Sequence, residues 1–518
     1  MSGRAVWLTL FLLGLGACSN DSEPNVPAEP PEQPAAIDTG SSPVLLPVPT
    51  DPTVAVSIWF AAGSQNDPPG KEGLAYLTGQ MLADASTENN AYEEILEALY
   101  PIASSYGARV DREMTTLSGR THTDNLALYT GLFIDAFSRP AFEENDFERI
   151  RNDTINYLEN VLRYASDEEL GKAALNQMIF EATAYAHPPE GTVDGLNTIT
   201  LEDVREFYEQ HYTASNATLA LGGGFSDTLV ETLEAAIADL PDGDPRPVPD
   251  VVASEWEGQR VVLVDKPDAD ASISFGFPID VHRGEREFYA LWIANSWLGE
   301  HRNSASHLFQ VIREVRGLNY GNYSYIEAYP EGGQRTMPPV NVARQHQFFE
   351  VWIRTLPNHQ AHFALRAAVR ELRLLVEEGM TEEEFELTRS FLRKYVLHFA
   401  KTSEERLGYA VDDRFYEIEA DGHLARFRQL MDEITLEEVN AAIAEHLRAE
   451  NLKIAIVTGD AEALAESLSS EARSPLEYES PKPDSVLEED NVIAEFSLNI
   501  APDDIAIVPV DQMFQTGS

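Results

Sequence analysis

The feature that most limits the fold of this chain is that one stretch of it occurs twice. Ile199-Thr200-Leu201-Glu202-Asp203-Val204 returns as Ile434-Thr435-Leu436-Glu437-Glu438-Val439. The match stays in register through His211 and His446, Asn216 and Asn451, and Gly224 and Gly459, each pair 235 residues apart. In both copies a threonine stands before a helical pattern with an acid three residues on. Hydroxyl and carboxylate at that spacing satisfy the first amides of a helix, as a capping box does. An apolar strand run follows, at 217–221 and 454–457, then a glycine turn and another helix. A period this long is not that of a solenoid, so it marks duplicated domains.

The two copies also begin alike. Residues 54–60 (VAVSIWF) and 272–277 (SISFGF) are strand runs, the second alternating as a half-buried strand does. Long amphipathic helices are expected at 285–298 and 382–401. Strands mixed with runs of helices predict an α+β fold of two homologous domains. Each domain is expected to be a mostly antiparallel sheet with helices on one face. The domains fall at 45–240 and 259–475, with a Pro-, Asp- and Glu-rich linker at 241–258 and an acidic tail at 476–518.

The N-terminus predicts an exported, anchored protein. Arg4 precedes an apolar run, 5–16, that is too short to stay in a bilayer as a spanning helix. The run ends in Leu15-Gly16-Ala17-Cys18, which resembles a bacterial lipoprotein signal over residues 1–18. Cys18 would then be acylated, and residues 19–44 would form a tether. This places the chain at the cell envelope, facing the periplasm. Cys18 is the only cysteine among 518 residues, which leaves no disulfide framework and no cysteine-based metal site. The net charge of -50 argues against nucleic acid and anionic lipid surfaces as partners.

The run Gly63-Ser64-Gln65-Asn66-Asp67-Pro68-Pro69-Gly70-Lys71-Glu72-Gly73-Leu74-Ala75 resembles the first-domain signature of the pitrilysin/insulinase peptidase family, which includes the mitochondrial processing peptidases. The resemblance spans roughly residues 45–475 and implies a chain that forms half of a clamshell. In active members the run leads into a helix bearing His-x-x-Glu-His. Two histidines on one helix face ligate zinc, and the glutamate acts as general base on the bound water. Here the slot holds Tyr76, Gly79 and Gln80. Glu159, near the expected place of a third ligand, cannot hold zinc alone. His187-Pro188-Pro189-Glu190 reads as a proline loop, His359 and His362 as solvated side chains, and Glu300, His301 and His307 as loop residues. No zinc or other cofactor is expected in this chain.

A second family element is retained. Arg313-Glu314-Val315-Arg316-Gly317-Leu318-Asn319-Tyr320 resembles the Arg/Tyr element of the second domain. The resemblance implies that Arg313 holds substrate backbone and that Tyr320 donates to the oxyanion formed when water attacks the scissile carbonyl. Arg316 competes with Arg313 but lacks the seven-residue spacing. An ion pair of Arg313 with an acid such as Glu327 would instead be structural. Some family members work in pairs, with zinc on one subunit and the Arg/Tyr element on the other.

Two functions follow. In the first, this chain is the non-zinc subunit of a two-part peptidase. It lends Arg313 and Tyr320 to a zinc-bearing sister, and unfolded peptides add as a strand near Met114, Thr115 and Thr116. In the second it is a peptide-binding or scaffolding lipoprotein that pairs with itself. A stand-alone metallopeptidase fits the residues least.

Overall fold

A computed structural model describes residues 42–243, 251–418 and 421–517. Cys18, the signal, nearly all of the tether and part of the linker lie outside the described residues. The first half contains β1 (Val44–Pro47), β2 (Thr53–Phe60), β3 (Ser105–Val110), β4 (Thr115–His122) and β5 (Ala217–Gly223), in the order β1-β5-β2-β4-β3. The second contains β6 (Arg260–Asp265), β7 (Ala271–Ile279), β8 (Asn322–Tyr325), β9 (Gln347–Leu356), β10 (Lys453–Thr458) and β11 (Ile505–Pro509), in the order β11-β6-β10-β7-β9-β8. Without β11 the two orders coincide. The β1–β5 and β6–β10 pairs are parallel, and the other pairs within each shared set are antiparallel.

The repeated residues do the same local work in both halves. Thr200 caps helix Leu201–His211 by accepting from the Asp203 amide at 3.2 Å, and Thr435 caps helix Leu436–His446 by accepting from Glu438 at 3.3 Å. Gly224 and Gly459 follow β5 and β10, each lying against the residues that lead into the neighbouring strand, β2 or β7. A Cβ at Gly224 would lie 2.3 Å from the Asp51 carbonyl, and one at Gly459 2.9 Å from the Ala269 carbonyl. Close backbone approach, not flexibility, explains why both are glycine.

Each sheet is covered by helices of its own half on one face. The other face receives a helix from the opposite half. Helix Asp167–Ile179 lies across β7, β9 and β10, and helix Ser403–Phe415 lies across β1, β2 and β5. β2 is therefore buried on both sides. Trp59 packs at 5.9 Å from Phe415, and Leu407 and Val411 fill the layer against Ala55 and Ala220. Each fully buried side chain of this size is worth about 1.5–3 kcal/mol, so the exchange joins the halves into one body. Polar contacts fix its register. Lys172 donates to the Tyr329 carbonyl at 2.7 Å beside the Trp352 ring, and Arg354 bonds Glu168 at 2.6 Å.

The expected acidic tail at 476–518 is folded. Helix Asp484–Ala494 packs on helix Ala361–Glu378. Arg316 holds its Asp490 at 2.8 Å and Glu489 at 2.7 Å. β11 then joins the second sheet. The acids of this region mostly face solvent, while Ile493, Ala494, Leu498 and Ile500 are buried. Reading the acids as a solvated tail overlooked that sparse apolar face.

Candidate functional site

Helix Leu74–Ala83 carries the degenerate slot. It starts from Gly73 at φ 109°, and the buried Asp67 carboxylate accepts from the Gly73 and Ala75 amides at 2.7 and 2.6 Å. Burial pushes Asp67 up to about 8 despite these bonds. Tyr76 and Gln80 face a cavity of about 320 Å³ between the halves. Gly79 backs onto β3, where a Cβ would stand 2.4 Å from Val110 Cγ2. A glutamate at 79 therefore needs Val110 to move. A tyrosine, a glycine and an amide offer no zinc-ligand set. Glu159 is half-exposed, while its neighbour Tyr157 lines the cavity. Among the described residues no group of three His, Cys, Asp or Glu side chains could hold a metal. These residues do not fit catalytic zinc.

The cavity walls come from both halves. Asp111, Arg112 and Glu113 join β3 to β4 and are only 3%, 4% and 0% exposed. The second half meets them with the segment before β9. Arg344 bonds Asp111 at 2.6 Å, and the Gln345 amide and the Tyr185 hydroxyl donate to Glu113. Burial lifts Glu113 to about 7. Arg112 donates to the His187 carbonyl, and burial together with nearby Arg344 lowers it to about 10. Glu190 and Glu350 line the cavity with Asp111, Arg112 and Arg344, while Glu113 lies behind the wall, and burial raises Glu190 and Glu350. The sequence offered little to find Arg344 or Glu113. Three consecutive charges between two strands read as an exposed turn.

The expected peptide-docking strand moves. Thr115 pairs with Phe60 on one side and Val110 on the other, and Thr116 with Trp59 and Arg109. Met114, Thr115 and Thr116 are buried, so no strand can be added there. The edge strands of the first sheet are β1 and β3, and it is β3 whose Ala108, Arg109 and Val110 line the cavity.

Arg313 and Tyr320 come together, but not at this cavity. The Arg313 guanidinium lies 5.7 Å from the Tyr320 ring centre and 4.8 Å from that of Phe309, and bonds Glu314 at 3.3 Å. Tyr320 is 77% exposed. Glu327, an expected partner of Arg313, instead holds Arg283 at 2.8 Å. Arg316 is enclosed by Asp490, Glu489 and the Val311 carbonyl, so its role is structural.

Two family models match the chain. One, described as insulinase (peptidase family M16), covers residues 44–192; the other, the peptidase M16 inactive domain, covers 198–392. The chain belongs to the insulinase, or M16, peptidase family. Relatives of this M16 chain include an uncharacterised zinc protease of Mycobacterium tuberculosis, 24% identical over 78% of this chain and 88% of its own length. A non-peptidase homologue, YmxG of Helicobacter pylori, is 21% identical over the same shares. Among solved structures, a peptidase M16 inactive domain from Pseudomonas fluorescens superposes with a TM-score of 0.68 at 21% identity, covering 80% of this chain and 94% of that one. A protease from H. pylori gives 0.67 at 18% identity, covering 80% and 96%.

Of the histidines that the sequence singled out, His187, His301, His307 and His362 are each held separately. His187 is buried in its proline loop and lowered to about 4 by that burial. His301 bonds the Tyr325 hydroxyl at 2.8 Å, and His307 bonds Glu371 at 2.7 Å while stacking on Trp297. The expectation that His359 and His362 are both solvated holds for His359 alone. His362 is buried against Ser467, with its Nδ1 2.7 Å from the hydroxyl oxygen, because the helix face it occupies packs inward.

Proposed function

We propose that this M16 chain is the non-zinc subunit of a two-part peptidase, held at the cell envelope by lipid on Cys18. It presents Arg313 and Tyr320 to the zinc site of a sister chain. The observation that carries this reading is the position of the pair. The tyrosine is 77% exposed with the guanidinium beside it, and neither residue lines the cavity where the slot helix lies. An oxyanion donor acts only when aimed at a reacting carbonyl, so an exposed pair away from the slot has such work only in a complex. Unfolded peptides would extend the first sheet at β3.

The test is purification of the native lipoprotein with its partner, followed by turnover of unstructured peptides. The complex should contain a His-x-x-Glu-His chain and cleave, and the isolated chain should not. A cavity beside an open sheet edge supports a second reading, peptide binding without cleavage. That reading takes over if the purified assembly contains only this chain and retains peptides intact. Cys18→Ser should release the protein from the membrane fraction or leave it unprocessed; wild-type fractionation and maturation would remove the anchor from the proposal.

A further inference from the structure

The segment that follows helix Asp484–Ala494 grips both halves of the molecule. β11 runs parallel to β6, with Ile505 beside Val261 and Pro509 beside Asp265, and Asp504 pairs with Arg260. The chain then leaves the second half, and Met513 and Phe514 bury themselves in the core of the first. Arg163, itself buried, donates Nε and Nη2 to the Met513 carbonyl at 2.8 and 2.6 Å. The Phe514 and Gln515 carbonyls accept from the Val193 and Asp194 amides at 3.0 and 2.9 Å. The Gln515 side chain also donates to Asp194 at 2.8 Å.

Those two amides open helix Val193–Thr198, and the first amides of a helix have no partner inside it. The C-terminal segment supplies the partners. The same helix continues from loop 187–191, whose Pro188, Pro189 and Glu190 wall the cavity. Gly191 is pressed so close to the Glu72 carbonyl that a Cβ there would lie 2.1 Å away, and the Thr192 amide donates to that carbonyl at 3.3 Å. Glu72 immediately precedes the slot helix. The position of residues 513–515 is thus coupled through backbone contacts to the cavity wall and the slot helix together. β11 is exposed or half-buried throughout, and a gap of about 730 Å³ bounded by Met178, Glu181, Lys453 and Phe514 runs beneath the segment.

We infer that residues 505–517 form a clasp, fixed at both ends and spanning a gap. The clasp holds the two halves at their present spacing, and displacing its end from Val193 and Asp194 frees loop 187–191 and widens the cavity beside β3. This inference is independent of the partner role proposed for Arg313 and Tyr320.

The test is amide hydrogen exchange on the otherwise full-length protein, comparing wild type, a chain ending at Pro509, and Arg163→Gln. In both altered proteins, exchange across residues 187–198 should accelerate roughly tenfold or more, while β2 and β10 stay within about twofold of wild type, as expected of local opening. X-ray scattering should show a larger radius of gyration for the shortened chain. Unchanged exchange at 187–198 in both would overturn the clasp. Acceleration that spreads equally to β2 and β10 would also overturn it, because the segment would then be part of the common core. If the shortened chain does not fold, Arg163→Gln decides by the same criteria.

Discussion

The inner slot and the outer Arg/Tyr ledge differ in what surrounds them. At the slot, Tyr76 and Gln80 face a cavity whose wall residue Asp111 is paired across the halves with Arg344, and behind that wall the Gln345 amide donates to Glu113. At the ledge, Arg313 and Tyr320 keep each other's company at the surface. The β3–β4 connection beside the slot is part of what joins the halves together. The ledge contributes little to that, which leaves its retention to be explained by something outside the chain. Substitutions at the two places should therefore fail in opposite ways, the first by unfolding and the second by loss of turnover.

The largest expected effect on stability is at the slot. Arg344→Ala strands a buried Asp111 carboxylate, and breaking a buried pair from one side costs about 3–5 kcal/mol. Arg313→Ala removes a surface contact with Glu314, worth about 0–1 kcal/mol, and its place over the Phe309 and Tyr320 rings, worth about 0.5–1 kcal/mol each at the surface. Denaturant unfolding of the two variants compares them directly. Equal losses would end the distinction between an interior slot and a free ledge.

The next effect is on catalysis. Tyr320→Phe should leave folding and assembly unchanged, since it removes one exposed hydroxyl. Turnover by the mixed complex at saturating partner should fall by about 10²–10³, the usual worth of an oxyanion donor. Full turnover with normal assembly would mean that the ledge is structural and would favour the peptide-binding reading. Arg316→Ala should instead destabilise the fold, because its buried guanidinium anchors helix Asp484–Ala494.

A third effect concerns metal. Restoring the family letters with Tyr76→His, Gly79→Glu and Gln80→His should not yield a chain retaining one equivalent of zinc after mild chelation. The Cβ of any side chain at 79 would stand 2.4 Å from Val110 Cγ2, so the new residue pushes the slot helix off β3 and out of the register that two histidines would need. Stoichiometric zinc, measured by elemental analysis, would show that the slot had lost only its letters and kept its geometry.

The duplication and the sheet-and-helix class were legible in the sequence because capping boxes and strand runs are local. Thr200 and Thr435 announce their helices without help from the rest of the chain. The open edge was not legible. Which strand stands outermost is settled by long-range pairing, and a docking strand at Thr115 and Thr116 follows from resemblance and the logic of strand addition, not from any local signal. In the structure Thr115 is buried, with its hydroxyl donating to the Ala62 carbonyl at 2.9 Å. The slot's partners were hidden for the same reason. Nothing near Asp111 in the sequence names Arg344, which arrives from the other half.

The smallest effect is on pH dependence, and it isolates Glu113. Burial raises the Glu113 carboxyl to about 7, so between its ordinary range and that value the folded state holds a proton that the unfolded state has lost. By linkage this makes stability fall as pH rises from about 5 to 7. His187, His301 and His362, each lowered to about 4 by burial, act in the opposite sense. Stability from these groups grows as pH rises from about 4 to 6.5. In the wild type the two trends oppose each other over pH 5–6.5. Glu113→Gln removes one of them while keeping a carbonyl oxygen to accept from Tyr185 and from the Gln345 amide. The variant's stability should therefore climb more steeply with pH over that interval than the wild type's, by an amount on the order of 1 kcal/mol. Parallel curves from urea unfolding at stepped pH would mean that Glu113 is already ionised at pH 5. Its bonds to Tyr185 and Gln345 would then outweigh its burial.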